Sequence, residues 1–236
     1  MPVPLSIHQF WDGPPLPEAF AAFAEGWQRL HPDWRYRLWG GGDLPPLRDQ
    51  DLYDRAAEIC PGLEGQLRSD IVRYELLHRF GGVWVDLDFE CLKPIDDLLA
   101  DTTCFVAWVT GEYVNNAIMG ASRQHRFIKR LIDGLPASIA AHPGAAPRVV
   151  SGPHYLTPLW REHGKEDGVT AFPKRYFYEV LWSELKRLGE APHKDEYARH
   201  YWNNRHRERG ITVPSGVSGA NPPALRQCTP HSGTGS

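Results

Sequence analysis

Apolar positions along this chain recur with two different periods, and the switches between them mark its elements. From Leu5 to Trp11 the residues read as a buried strand, closed by the turn signal Asp12-Gly13-Pro14-Pro15. Phe20, Phe23, Trp27 and Leu30 then return at helical spacing until Pro32. Trp34 to Trp39 alternates with period two before the breaker run Gly40-Gly41-Gly42. A strand, a helix and a second strand in this order imply a βαβ unit, and so an α/β fold with a mostly parallel central sheet flanked by helices.

A longer helix is predicted from near Gly65, with Leu67, Ile71, Tyr74 and Leu77 on one stripe and a stop at Gly81-Gly82 after Phe80. The next eight residues, Val83 to Glu90, alternate again. If they are extended throughout, Val83, Val85, Leu87 and Phe89 face one way while Trp84, Asp86, Asp88 and Glu90 face the other, which puts three acids on one side. Further strands are expected over Thr102 to Val109 and Tyr113 to Gly120. A short helix is expected at Phe127, Ile128, Leu131 and Ile132, followed by a loop from Pro136 to Pro147. No internal repeat is visible.

Composition narrows the function classes. At 236 residues and 42% hydrophobic content, one domain is expected over residues 1–209. Residues 210–236, nearly uncharged and rich in Gly, Ser and Pro, read as a flexible tail. A net charge of −3 offers no basic face for nucleic acid, so a phosphate-bearing ligand must be neutralised locally by a metal or a few arginines. Cys60, Cys91, Cys104 and Cys228 form neither a CxxC pair nor a disulfide framework, and reduced, mostly buried thiols are expected. No stretch approaches a membrane span or a secretory leader, which points to the cytoplasm.

Asp86 and Asp88, two apart at the end of a strand, can offer both carboxylates to one hard divalent cation and leave positions for a diphosphate. A D-x-D triplet alone arises by chance in roughly every other chain of this length. Its weight here comes from a buried-looking strand that runs into acids, which is costly without a compensating cation or solvent. Asp70 and Arg73, three apart on the preceding helix, share a face and could reach one ligand; an ordinary surface ion pair is the plainer reading of that spacing alone. Trp11, at the carboxyl end of the first strand, could stack on a nucleotide base or simply pack the core. There is no HExxH, GxGxxG or P-loop.

Taken together, Arg68-Ser69-Asp70-Ile71-Val72-Arg73-Tyr74-Glu75-Leu76-Leu77 and Phe80-Gly81-Gly82-Val83-Trp84-Val85-Asp86-Leu87-Asp88 resemble the signature block of the DxD-containing, sugar-binding glycosyltransferases of family 32. Their relatives include the initiating yeast α-1,6-mannosyltransferase, bacterial capsular polysaccharide transferases and the glucosylating domains of clostridial toxins. The resemblance extends to Ile7-His8-Gln9-Phe10-Trp11, Asn115-Asn116-Ala117-Ile118-Met119, Ser151-Gly152-Pro153 and Tyr197-Ala198-Arg199-His200-Tyr201-Trp202, although the Ser-Trp often found at the end of the last motif is missing.

What this resemblance implies is a GT-A fold, Mn²⁺ or Mg²⁺, a UDP- or GDP-hexose donor, a saccharide or other hydroxyl acceptor, retention of anomeric configuration and a role in polysaccharide biosynthesis. By motif, Trp11 would stack on the base, Asp70 and Arg73 would hold the donor sugar and phosphates, and Asn116, or Asn115 beside it, would touch the sugar. Asp86 and Asp88 would bind ribose and metal, with His200 as a third metal ligand. Two other readings start from the same residues: a metal-dependent phosphohydrolase acting on nucleotide sugars, and a non-catalytic carbohydrate-binding protein.

Overall fold

The computed structural model describes residues 1–203. The expected boundary at residue 209 and the tail beyond it lie outside the described residues, as does Cys228.

The chain opens with β1 (Ser6–Phe10), α1 (Glu18–Leu30) and β2 (Arg35–Trp39), with β1 and β2 parallel as the pattern predicts. The short helices α2 (Gln50–Asp54) and α3 (Ala56–Ile59) lead into α4 (Glu64–Phe80) and β3 (Gly82–Val85). Then come β4 (Phe89–Cys91), α5 (Asp96–Leu99), β5 (Cys104–Trp108), β6 (Val114–Ala121) and α6 (Arg126–Ala141). The described chain closes with α7 (Pro147–Val150), α8 (Pro153–His163), β7 (Val169–Phe172), α9 (Lys174–Phe177) and β8 (Ala198–His200).

Six strands form one sheet in the order β2-β1-β3-β6-β5-β7, in which β6 alone runs against its neighbours. A two-stranded sheet of β4 and β8 stands apart. Alternation along the central strands feeds two cores. Trp84, Cys104 and Val106 pack with α4, α6 and α8 on one face, while Val83, Val85, Phe105 and Ala107 pack with Trp27, Phe89 and Phe177 on the other. With both faces covered, this is the α/β architecture of the GT-A fold.

The passage from α4 to β3 depends on Gly81 and Gly82, both at positive φ (65° and 100°). A Cβ on Gly82 would lie 2.3 Å from Ser6 Oγ and 2.7 Å from Ser6 O, so only glycine lets β3 enter beside β1.

Two expectations fail. Val83 to Glu90 is not one strand: pairing with β6 ends at Val85, the chain turns through Asp86, Leu87 and Asp88 with Phe89 N–H donating to Asp86 O, and β4 joins the other sheet. The turn sets Asp86 and Asp88 on the wall of the cleft, and Leu87 packs with Phe20 and Phe23 in a third small cluster. Glu90 is carried away from the other two acids and accepts a hydrogen bond from Tyr201 Oη (2.8 Å). Second, the predicted loop from Pro136 begins as helix, because α6 runs through Pro136 to Ala141. Its apolar stripe continues past the proline, with Leu135 fully buried and Ile139 against the same core, and this packing outweighs the one backbone bond that proline forfeits.

The three described cysteines are free and buried, and burial pushes their thiols up. Among the described residues no helix is long and apolar enough to cross a membrane.

Candidate active site

The carboxyl ends of β1 and β3, the flank of α4, the start of β6 and the end of β8 converge on one open cleft of ≈ 640 Å³. Every residue singled out from sequence lines it: Trp11, Asp70, Arg73, Asp86, Asp88, Asn115, Asn116 and His200. This is where ligands bind in open α/β sheets, and the size suits a small-molecule site.

On α4, Asp70 and Arg73 are buried and 3.3 Å apart, so the plain surface-pair reading is excluded. Arg73 Nη2 also donates to Asp86 Oδ1 at 2.9 Å, tying α4 to the turn after β3. Asp70 Oδ1 accepts from Asn116 Nδ2 (2.9 Å) and Oδ2 from Ser151 Oγ (2.7 Å). Burial pushes the Asp70 carboxyl up, opposed by Arg73 and by the Ser151 and Asn116 hydrogen bonds. Asn115 turns its carbonyl to the Ala117 N–H at 3.0 Å, whereas Asn116 faces Asp70.

Asp86 Oδ1 accepts a second hydrogen bond, from Trp84 Nε1 at 2.7 Å. Its side chain is 27% exposed, towards the cleft. Burial pushes its carboxyl up to about 6 against the pull of Arg73, with Asp88 adding to the rise. Asp88 goes the other way. Burial would raise it, but the charge and hydrogen bond of His200 and the backbone N–H groups of Asn203 and Asp88 itself outweigh that and hold it below the usual range. His200 Nε2 lies 3.0 Å from Asp88 Oδ1, and Asn203 N–H donates to Oδ2 at 2.8 Å. The imidazole stacks on Phe89, centroids 4.4 Å apart and planes within 3°.

One donor atom from each of Asp86, Asp88 and His200 lies within 4.8 Å of the others, the only such group of His, Cys, Asp or Glu among the described residues. Two carboxylates and an imidazole suit a hard or borderline divalent cation. The charge balance agrees, since the cleft is lined by Asp12, Glu64, Asp70, Asp86 and Asp88 against the two arginines Arg73 and Arg148. Moreover, His200 Nδ1 is buried with no hydrogen-bond partner among the described residues.

Trp11 is held by its indole N–H to Pro14 O, and its ring meets Phe20 edge-on at 5.8 Å. Gly13 lies close against the ring, where a Cβ would come within 3.2 Å, and the rest of the partly exposed side chain lines the cleft.

Sequence reasoning missed the supporting shell. Trp84 was legible in principle, since it sits two residues before Asp86 on a strand and so on the same side. Tyr74 read as core, and Ser151 carried no signal of its own beyond its motif. The Asn203 amide, which reaches Asp88 because Trp202 takes a left-handed φ of 55°, has no sequence signature.

Residues 17–105 match the glycosyltransferase sugar-binding region containing a DXD motif. The chain is 26% identical over 204 residues to inositol phosphoceramide mannosyltransferase 3 of Schizosaccharomyces pombe, covering 81% of this chain and 52% of that protein. It is 28% identical over 189 residues to lactosylceramide 4-alpha-galactosyltransferase of Rattus norvegicus, covering 69% and 50%. The chain thus spans about half the length of these curated relatives. Among solved structures, the PaToxG glycosyltransferase superposes with a TM-score of 0.59 at 15% identity, covering 69% of each chain. The ligand-free glycosyltransferase domain of the YGT toxin superposes with a TM-score of 0.53 at 10% identity, covering 91% and 87%. Both likenesses bear on the fold alone.

Proposed function

We propose that this chain, a glycosyltransferase with the DXD sugar-binding region on a GT-A fold, moves a hexose from a nucleoside-diphosphate sugar to a hydroxyl acceptor in a divalent-cation-dependent reaction. The observation that carries this is the convergence of acids in the cleft: Asp70 and Asp86 share the Arg73 guanidinium, while Asp86, Asp88 and His200 bring three donor atoms together where a cation and its bound diphosphate would fit.

Asp86, Asp88 and His200 would hold Mn²⁺ or Mg²⁺, which supplies positive charge to offset that developing on the departing nucleoside diphosphate. Arg73, buried and fixed by two carboxylates, presents a preorganised cation to the same phosphates or to the sugar. Asp70 accepts a sugar hydroxyl, with Asn116 fixing its orientation. Trp11 at the far end offers its ring to the base. Retention of anomeric configuration belongs to this reading through the family resemblance, and NMR of the product anomer tests it. The acceptor is a saccharide or glycolipid hydroxyl; the two relatives named above act, by their names, on ceramide-based acceptors.

A thermal-shift panel of UDP, GDP, UDP-glucose, UDP-galactose and GDP-mannose, each with and without Mn²⁺, tests the reading, because a ligand that binds only the folded state raises apparent stability. A shift for one nucleotide series that requires Mn²⁺ is expected. No shift with any of them would overturn the proposal. Product analysis then separates transfer from hydrolysis: a phosphohydrolase would consume donor equally well without an acceptor.

A further inference from the structure

The Ser151-Gly152-Pro153 run has no part in the reaction outlined above, yet it touches the site. Ser151 sits between α7 and α8 and is fully buried. Its Oγ lies 2.7 Å from Asp70 Oδ2 and 3.0 Å from Pro147 O. A hydroxyl has one proton to give, and the carboxylate, the nearer and charged acceptor, takes it.

The other hydrogens then fall into place around a closed ring. Tyr74 Oη donates to Ser151 O at 2.6 Å, and Asn116 Nδ2 gives one hydrogen to Tyr74 Oη (3.0 Å) and the other to Asp70 Oδ1 (2.9 Å). Asp70, Ser151, Tyr74 and Asn116 thus fix one another, all buried. The neighbours of Ser151 in sequence keep it there: a Cβ on Gly152 would come within 2.9 Å of Arg148 Cα, and Pro153 starts α8 at a position that needs no N–H donor.

An ionised carboxylate offers about four acceptor positions. Asn116 takes one position on Oδ1, beside which the Arg73 guanidinium stands 3.3 Å away as an ion pair, and Ser151 takes one position on Oδ2, which leaves the second position on Oδ2 free of both.

We propose that Ser151 is a positioning residue for donor-sugar recognition: through the ring with Tyr74 and Asn116 it locks the Asp70 carboxylate so that one oxygen position reads one sugar hydroxyl. This rests on the glycosyltransferase reading, and it sets sugar recognition apart from base and cation recognition, since the ring touches Asp70 and neither Trp11 nor Asp88, and reaches the phosphates only through Arg73.

The test is calorimetric titration of UDP-glucose and GDP-mannose against UDP and GDP, all with Mn²⁺, on the wild type, Ser151→Ala and Tyr74→Phe. For whichever series binds, Ser151→Ala is expected to weaken the nucleotide sugar by about 10- to 100-fold, the loss of a buried hydrogen bond to a charged group. The free nucleotide, which the ring reaches only through Arg73, should change by a clearly smaller factor. Tyr74→Phe, which opens the ring on its opposite side and keeps the packing, should show the same selective loss at smaller size. Equal loss for sugar and free nucleotide in both variants, or no loss in either, overturns the proposal. A wild type that binds free nucleotide but gains nothing from the sugar also overturns it while leaving the nucleotide site standing. Failure to bind any of the four removes the functional reading and this inference with it.

Discussion

Arg73 joins two halves of the cleft that differ in how far the protein alone satisfies them. On one side, Asp70 is enclosed by Asn116, Ser151 and Arg73, and Asn116 and Ser151 each give it a hydrogen bond. On the other, Asp86 and Asp88 share the cleft with a histidine whose second nitrogen is buried without a partner among the described residues, and negative charge is left over. The first half is closed by the fold itself, and on the proposed reading a ligand would complete the second. A preorganised network costs little to use, because its groups are already oriented when substrate arrives. Surplus buried charge, in contrast, is a cost to the free protein that binding relieves.

The largest expected effect comes from breaking the unfinished half. Asp88→Asn should lower transfer by on the order of 10⁴-fold, several kcal/mol of lost electrostatic stabilisation. The fold should persist with a small loss of Tm, because the carboxylate that His200 and the Asn203 N–H hold ionised contributes some stability at neutral pH. Circular dichroism and a Tm near that of the wild type, beside the loss of activity, check this; transfer within tenfold of wild type would dismiss the cation site.

Cutting the link between the halves should show in stability as well. Arg73→Met leaves Asp70 and Asp86 without their buried cation, a loss of about 3–5 kcal/mol where one partner of a buried pair is removed. In a chain of this size that is a fall of roughly 6–20 °C in Tm, and Mn²⁺ should recover part of it. Recovery by Mn²⁺ no greater than in wild type would mean that Arg73 and the cation do not answer to the same charge.

Trp11→Ala lies outside both halves. It should weaken nucleotide binding by about 1–3 kcal/mol, the worth of one base stacked on an aromatic ring, with a smaller effect on kcat than on KM. If Trp11→Ala unfolds the chain and Trp11→Phe rescues it, Trp11 is a packing residue.

His200→Ala should move the midpoint of a Mn²⁺ titration of activity upward by about tenfold. A midpoint and maximum shared with wild type would leave His200 as a partner of Asp88 and nothing more.

The smallest effect belongs to a carboxylate cluster outside the cleft and serves as a control for burial alone. Burial pushes Asp49 up to about 6, with Glu75 and Asp133 adding to the rise and Arg48 opposing it; one of its oxygens is buried without a partner among the described residues. Its folded pKa exceeds the unfolded one, so the folded form binds the extra proton. That contribution to stability is complete below about pH 4 and lost as pH rises through about 6. Asp49→Asn should therefore raise Tm at pH 7–8 by a few degrees, about 1 kcal/mol, with little change at pH 4 and unaltered donor affinity. A Tm difference independent of pH would sink the ionisation argument.

Much of this molecule could be read directly. Phe20, Phe23 and Trp27 at helical spacing, and Leu67, Ile71, Tyr74 and Leu77 on a second stripe, correspond to α1 and α4, because a helix that must bury one face announces the fact with its period. Gly81-Gly82 marks the end of α4 for a reason of backbone geometry that holds in any fold. Asp70 and Arg73 could be placed on one face from spacing alone. Whether that face met water or the core could not, and the answer turned a surface pair into a buried bridge to Asp86.

Alternation misled at Val83–Glu90, where period two continues through a turn. Local sequence carries the preference to extend, but the strand ends where β6 no longer pairs with it and the chain turns to pair β4 with β8. The same limit governs the site. Sequence determined which acids and which arginine could act together within residues 70–88, since those are related by the fixed repeat of a helix and the short reach of a turn. Only tertiary structure decided that Asn116, Ser151 and His200 would join them, because the distance between Asp88 and His200 is set by the pairing of β4 with β8 and not by any local rule. Backbone geometry decides contacts over a few residues; the burial of apolar faces decides the rest, and it belongs to the whole chain at once.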